Sequence, residues 1–202
     1  MLDHLLGFLN ALTVNLSIGL LALLVGLCLG FVTAAVRLAP NRLGARAMNF
    51  FIGILRAIPA YVLMVVTAAI LTSADALGML SSQAAALIAL FLALLAGTVS
   101  SSSDACLTFL QYRAQGRMEQ AWLIVPNAFQ IFIVAVMSSG VGAAIGVHEA
   151  VHYTLALAET YESREDRIVL VLVVILFFAA TLAFTKYVVA RASARLLAQR
   201  AH

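Results

Sequence analysis

The chain has 202 residues, of which 64% are hydrophobic and 10% are charged, and its formal net charge at pH 7 is +3. An average soluble protein carries about 25% charged residues, so this composition excludes an ordinary soluble protein and indicates one that lies in lipid. No feature of the sequence suggests a nucleic-acid partner, a nucleotide-binding fold or a covalent cofactor.

Five long apolar segments follow one another along the chain, separated by short loops that hold almost all of the charge. Each can cross a bilayer as a helix of about 20 apolar residues, because lipid offers no hydrogen-bond partners and a helix satisfies its own backbone. We therefore predict an all-α integral membrane protein with a single transmembrane domain over residues 1–202. The predicted spans are 11–36, 47–71, 83–109, 121–147 and 168–190, with an outer polar loop at 148–167.

The positions of the basic residues predict the orientation, because Lys and Arg accumulate in cytoplasmic loops. Basic residues follow spans 1, 3 and 5, whereas Asp3, Asp75 and an excess of acids in 148–167 lie at the other ends. We expect the N-terminus outside and the C-terminus in the cytoplasm. The basic residues on the predicted cytoplasmic side are Arg37, Arg42, Arg46, Arg113, Arg117, Lys186, Arg191, Arg195 and Arg200.

Span 2 contains an arginine followed three residues later by a proline. Pro59 cannot donate a backbone hydrogen bond, so it frees a carbonyl and kinks the helix. An ionisable group inside a span is a candidate for function, and Arg56 beside a broken helix suits an anionic group such as a carboxylate. The alternative is that Arg56 lies near the cytoplasmic end and extends to the lipid headgroups.

Span 3 contains a run of hydroxyl side chains that ends in a carboxylate, Asp104, which suits an ammonium group. If a solute passes here, the hydroxyls would line its path; alternatively, the small residues allow close helix packing and the hydroxyls bond to backbone. The predicted substrate-path residues of spans 2 and 3 are Arg56, Pro59, Thr98, Ser100, Ser103 and Asp104.

Residues 148–152 match the zinc-protease pattern His-Glu-x-x-His. On a helix, His148 and His152 would share a face and bind one metal, with Glu149 as general base and Glu159 or Glu162 as a third ligand. Short patterns also recur by chance, and an amphipathic helix at the membrane interface explains the segment without a metal. We favour no metal site and keep a membrane zinc metallohydrolase as an alternative.

Several short motifs resemble one known family in their order and spacing. They are Thr13-Val14-Asn15-Leu16-Ser17 with Gly26, Gly30 and Arg37; Leu55-Arg56-Ala57-Ile58-Pro59, similar to Arg-Gly-x-Pro; Gly146-Val147-His148-Glu149, similar to Gly-Val-Pro-Glu; and a closing apolar helix with Arg191 and Arg195. The chain thus resembles the membrane (permease) subunits of type I ABC importers, in particular the polar amino acid family that handles histidine, glutamine, arginine and opines. The resemblance implies a multi-pass protein of the bacterial cytoplasmic (inner) membrane.

The resemblance breaks at the loop between spans 3 and 4, where the family carries a short helix that docks into the ATPase. Gly116, Glu119 and Ala121 resemble the start of that loop, but the chain already matches the family's fourth helix from Pro126 onward. The family would need on the order of 20 more residues there, roughly 30 Å of helix. The resemblance therefore implies that the coupling helix is deleted and that Gly116, Glu119 and Ala121 are vestigial.

These departures imply a degenerate half of a heterodimeric importer for a small polar solute such as an amino acid. The partners would be a second permease subunit, an ATPase contacted mainly through that subunit and an extracytoplasmic solute-binding protein at 148–167. The sequence has no Gly-x-x-x-x-Gly-Lys-Ser/Thr phosphate loop, so ATP would act on the partner ATPase. Alternatively, the chain keeps the permease fold without transport and serves as an assembly, regulatory or sensing partner, and 148–167 is a solvated connector.

Overall fold

A computed structural model describes residues 2–73 and 81–198, and these ranges contain helices and no β-strand. Asp75 and Arg200, two of the charges used to predict orientation, lie outside the described residues. The helices are α1 (Leu2–Leu38), α2 (Arg42–Ala57), α3 (Ala60–Ser73), α4 (Ser82–Ala114), α5 (Met118–Ala121), α6 (Ile124–Ser139), α7 (Ala150–Glu159) and α8 (Arg164–Ala198), with a 3₁₀-helix at Gly140–Ile145.

Within the described residues, four helical stretches are long and apolar enough to cross a membrane, and the pair α2 and α3 together form a fifth candidate. The four are Asp3–Leu38, Ser82–Ala114, Met118–Ile145 and Arg164–Ala194. This pattern confirms the predicted all-α membrane fold. The C-terminal ends of α1 and α4 and the start of α6 form one end of the bundle, here called the basic end. The start of α1 and α7 form the acidic end, where Tyr153 contacts Gly7.

The second predicted span is broken rather than merely kinked. Helices α2 and α3 meet at an angle of 86°. Ile58 has an extended conformation, with φ −76° and ψ 119°, because a proline disfavours helical geometry in the residue before it. Pro59 itself has no N–H to continue the ladder of α2. The segment 47–71 is therefore two helices that run in different directions.

Helices α1 and α4 pack most closely through two glycines of α1. A Cβ atom added at Gly30 would lie 2.8 Å from the carbonyl carbon of Ser102, and one at Gly26 would lie 2.6 Å from Thr98 Oγ1. Thr98 uses the short distance to donate a hydrogen bond of 3.0 Å to the carbonyl oxygen of Ala22. Small residues thus let the two backbones approach, as is common between membrane helices.

Candidate functional site

A cleft of about 440 Å³ lies between α4 and α6, next to the start of α3. The apolar residues that line it are aliphatic, and Asp104 is its one ionisable lining group within the described residues. The polar lining residues are Thr98, Ser101, Asp104 and Thr108 of α4 and Asn127, Gln130 and Ser138 of α6. An apolar cleft with a few convergent polar groups is the usual form of a small-molecule site.

Helical periodicity explains why these side chains share one cavity. On α6, Gln130 and Ser138 lie three and eleven residues after Asn127, and all three share one face with Ile131 and Val134. Residues three, four, seven or eleven apart lie on one side of a helix. Each helix therefore contributes one polar stripe, and the two stripes face each other across the cleft.

Asp104 is held from the side by two arginines. Its Oδ1 accepts a hydrogen bond of 2.9 Å from Nη1 of Arg37, at the end of α1, and its Oδ2 accepts one of 2.6 Å from Nη2 of Arg56, in the last turn of α2. Arg37 also donates 2.9 Å to Ser103 Oγ and 2.7 Å to Asn49 Oδ1. Charged hydrogen bonds of this length are the stronger kind, so this basic-end cluster ties α1, α2 and α4 together.

The basic-end cluster has unequal exposure and unequal charge. The Arg37 side chain is 14% exposed, whereas Asp104 and Arg56 are 47% and 56% exposed. Two guanidinium groups and one carboxylate leave one positive charge in excess beside the cleft. The arrangement can accept an anionic group next to Arg56 and a hydrogen-bond donor next to Asp104, which are the two ends of a zwitterion.

The predicted path residues differ in their position relative to the cleft. Thr98 and Asp104 line the cleft, whereas Ser100 and Ser103 are buried elsewhere on α4. Ser100 donates a 3.0 Å hydrogen bond to the Gly97 carbonyl oxygen. Arg56 and Pro59 are not among the lining residues. Arg56 bonds the lining residue Asp104, and Pro59 precedes the lining residue Ala60 in the chain.

Sequence reasoning missed five polar lining residues. They are Ser101, Thr108, Asn127, Gln130 and Ser138. Two of them, Asn127 and Gln130, could have been found from the sequence, because they are amide side chains three residues apart within an apolar helix. Their significance depended on which face of α6 turns toward α4, and this becomes visible only when the two helices pack.

A second polar cluster lies at the acidic end and includes the glutamate of the zinc-protease pattern. Asn15 Nδ2 donates 2.8 Å hydrogen bonds to Ser139 Oγ and Glu149 Oε2, and Asn15 Oδ1 accepts one of 3.0 Å from the Ala150 amide. Glu149 caps α7, since its carboxylate accepts 2.9 Å bonds from the amides of Val151 and His152. Asn15, Ser139 and Glu149 are fully buried.

The histidine pair does not have the arrangement that the zinc-protease pattern requires. Helix α7 begins at Ala150, so His148 and Glu149 precede it. The rings of His148 and His152 lie 4.6 Å apart, but the carboxylate of Glu149 is turned inward onto the backbone of α7. In the part of the chain that the structure describes, no three His, Cys, Asp or Glu side chains converge as metal ligands.

The connection between α4 and α6 is short. Helix α4 ends at Ala114, Gly116 takes a left-handed φ of 71°, and the single turn α5 follows before α6 begins at Ile124. Gly116 closes the end of α4 with a 3.1 Å bond from its amide to the Arg113 carbonyl oxygen. Glu119 lies in the first turn of α5 and Ala121 is buried. This connection holds one turn of helix and no longer element.

Comparison with known proteins identifies the fold. One chain in the crystal structure of an amino acid ABC transporter with histidines is similar to this chain, with a TM-score of 0.70 and 18% identity over 96% of each chain. At this identity the similarity shows the fold alone, which this chain shares with a chain of that amino acid ABC transporter. No protein-family model and no curated protein matches the sequence.

Proposed function

We propose that this chain is a transmembrane subunit of an ABC-type importer for a small polar solute such as an amino acid. In this proposal the α4–α6 cleft is its part of the solute path. The observation that carries the proposal is the cleft itself, in which two polar stripes and an arginine-held carboxylate converge within a permease-like fold. The similar crystal structure is described as an amino acid transporter with histidines, which supports an amino acid as the class of solute.

The chemistry of the cleft fits a zwitterion. The Asp104 carboxylate accepts hydrogen bonds from an ammonium group, and the exposed Arg56 guanidinium binds a carboxylate with two parallel hydrogen bonds. The Ser101 hydroxyl and the amides of Asn127 and Gln130, which line the cleft, offer both donors and acceptors for a polar side chain. Because Asp104 and Arg56 already bond each other, a solute would replace this bond with its own hydrogen bonds to the two groups and would not meet unpaired charges.

The subunit is proposed to be the weaker half of a heterodimer. A phosphate loop is absent from its sequence, so ATP acts on a partner ATPase, and the single turn of α5 offers that ATPase a small contact. A second, complete permease subunit supplies the main ATPase contact, and a solute-binding protein docks at 148–167. The proposed location is the bacterial inner membrane with the N-terminus outside.

Mild-detergent purification of the tagged complex, followed by mass spectrometry of all co-purifying chains, tests the assembly. We expect an ATPase and a second permease subunit. Recovery with neither would contradict the proposal and favour a permease fold without transport, for which the short α4–α6 connection is the motivating observation.

Uptake by the native complex in proteoliposomes tests the cleft. We expect Asp104→Asn and Asn127→Ala to lower uptake at least tenfold while the complex still assembles. Ser100→Ala is the matched control, because Ser100 lies on α4 but does not line the cleft, and its hydroxyl bonds to the Gly97 carbonyl oxygen of its own helix. Equal uptake by all three variants would remove the case for a solute path between α4 and α6.

A further inference from the structure

Helix α2 has three distinct faces. Ile52, at 3% exposure, packs inward with the partly buried Met48 and Leu55, and the helix contacts α1 and α4. A second face is apolar but open, with Leu43 at 78%, Phe50 at 72% and Ile54 at 42% exposure. In the described part of the chain, nothing covers this second face.

The third face of α2 is basic. Arg42 and Arg46 are exposed and lie four residues apart, so they share one side of the helix. Neither has a hydrogen-bond or ion-pair partner among the described residues, and the sequence of α2 contains no acid. At 100° per residue, Arg46 lies directly beside Phe50, so the basic face borders the open apolar face.

The orientation of α2 relative to the membrane indicates what these faces contact. Helix α3 packs along the membrane-crossing α4, and α2 meets α3 at 86°. If α3 runs along α4 through the bilayer, α2 is nearly perpendicular to the bilayer normal and lies in the plane of the membrane. An amphipathic helix with arginines beside an apolar face, lying in the membrane plane, has the form of an interfacial helix, which inserts its apolar side among the acyl chains.

We propose that α2 is an in-plane helix that binds anionic phospholipid, with Leu43, Phe50 and Ile54 among the acyl chains and Arg42 and Arg46 on lipid phosphates. Unpaired arginines at the border of an apolar face complement the charge of an anionic leaflet, and each contributes about 1 kcal/mol near such a surface. This inference goes beyond the proposed function and does not depend on transport.

Helix α2 is also connected to the cleft. Arg56, in the last turn of α2, bonds Asp104 at the edge of the cleft. Lipid bound to α2 would therefore lie on the same helix as a guanidinium that holds the cleft carboxylate.

Native mass spectrometry of the full chain with phosphatidylglycerol and phosphatidylcholine tests the charge recognition. We expect Arg42→Gln/Arg46→Gln to weaken phosphatidylglycerol retention roughly fivefold per arginine and to leave phosphatidylcholine retention unchanged. The variant Arg42→Lys/Arg46→Lys, which keeps both positive charges, should retain phosphatidylglycerol as the unchanged chain does. The matched control is Arg164→Gln/Arg167→Gln, which removes the same charge at the acidic end. An unchanged preference for phosphatidylglycerol in the α2 variant would overturn the proposal.

Spin labels test the apolar face independently of any arginine. In a Cys28→Ala/Cys106→Ala background reconstituted in nanodiscs of both lipids, labels at Leu43→Cys and Phe50→Cys should be mobile and accessible to oxygen but not to a water-soluble nickel reagent. Labels that are immobilised and inaccessible to both would show that protein covers this face. Labels accessible to nickel would show that it faces water. Either result would overturn the proposal.

Discussion

The two polar clusters of this molecule lie at opposite ends of the helix bundle and are built in opposite ways. At the acidic end, Asn15, Ser139 and Glu149 are fully buried, and each polar group is matched by a neighbouring side chain or amide. At the basic end, Asp104 and Arg56 are about half exposed and one positive charge is left over. A closed network fixes a structure, whereas an open one with spare bonding capacity can exchange partners.

Glu149→Ala should give the largest effect, because it removes the hub of the closed cluster. The partly buried amides of Val151 and His152 and the buried amide of Asn15 would lose an acceptor, and a buried group left unsatisfied costs about 1–3 kcal/mol. We expect a large loss of folded yield in detergent and a lower midpoint in thermal unfolding. Glu159→Ala, at the exposed end of the same helix, is the control and should be neutral. Equal stability of both variants would show that the closed cluster does not fasten α7.

Gly30→Ala tests whether the two clusters sit on one rigid unit, since Gly30 lies between them on α1. A Cβ atom there would meet backbone atoms of Ser102 at 2.8 and 3.1 Å, so α1 and α4 must separate, at about 1–3 kcal/mol for overpacking. Thermal unfolding in detergent measures the loss. Gly53→Ala, where a Cβ atom meets nothing within 4 Å, should not destabilise the chain, and equal melting of the two variants would refute the close packing.

The smallest effect on stability is expected at Arg56, and it distinguishes the two arginines of the basic-end cluster. Arg37 is mostly buried and makes three hydrogen bonds, so we expect Arg37→Gln to destabilise by about 1–3 kcal/mol. Arg56 is 56% exposed, and exposed ion pairs contribute about 0–1 kcal/mol, so Arg56→Gln should be near neutral in stability. Thermal unfolding of both variants decides; if Arg56→Gln melted lower, the cluster would be a structural clamp centred on α2.

Much of the fold could be predicted from the sequence, because membrane helices are specified by local composition. The apolar runs gave the long helices, and Pro59 gave the position of the break in span 2. The angle of 86° could not be predicted, since it depends on what α2 packs against. The amphipathic character of α2 was also hidden, because the apolar residues after Ala47 were assigned to a span that continued through Pro59.

The candidate site was predicted less well than the fold. Asp104 and Thr98 were identified because polar groups inside a span are conspicuous, but Ser100 and Ser103 were chosen from the same run without knowing which side faces a cavity. Arg37 was assigned to a loop, and its bond to Asp104 depends on the parallel packing of α1 and α4. Glu149 was considered as a catalytic base, yet the tertiary contact with Asn15 makes it a helix cap.

The glycines of α1 have a mechanical consequence for the cleft. Because Gly26 and Gly30 hold α1 against α4, these two helices form a single wall. Helix α6 is pinned near its C-terminal end, where Val136 presses on Gly19 and Ser139 bonds Asn15. Its N-terminal end follows the short turn α5 and lies beside α8, where Pro126 and Phe129 line one surface pocket with Val188. A pivot of α6 about its pinned end, together with the adjacent part of α8, would open the cleft at the basic end and leave the acidic end shut.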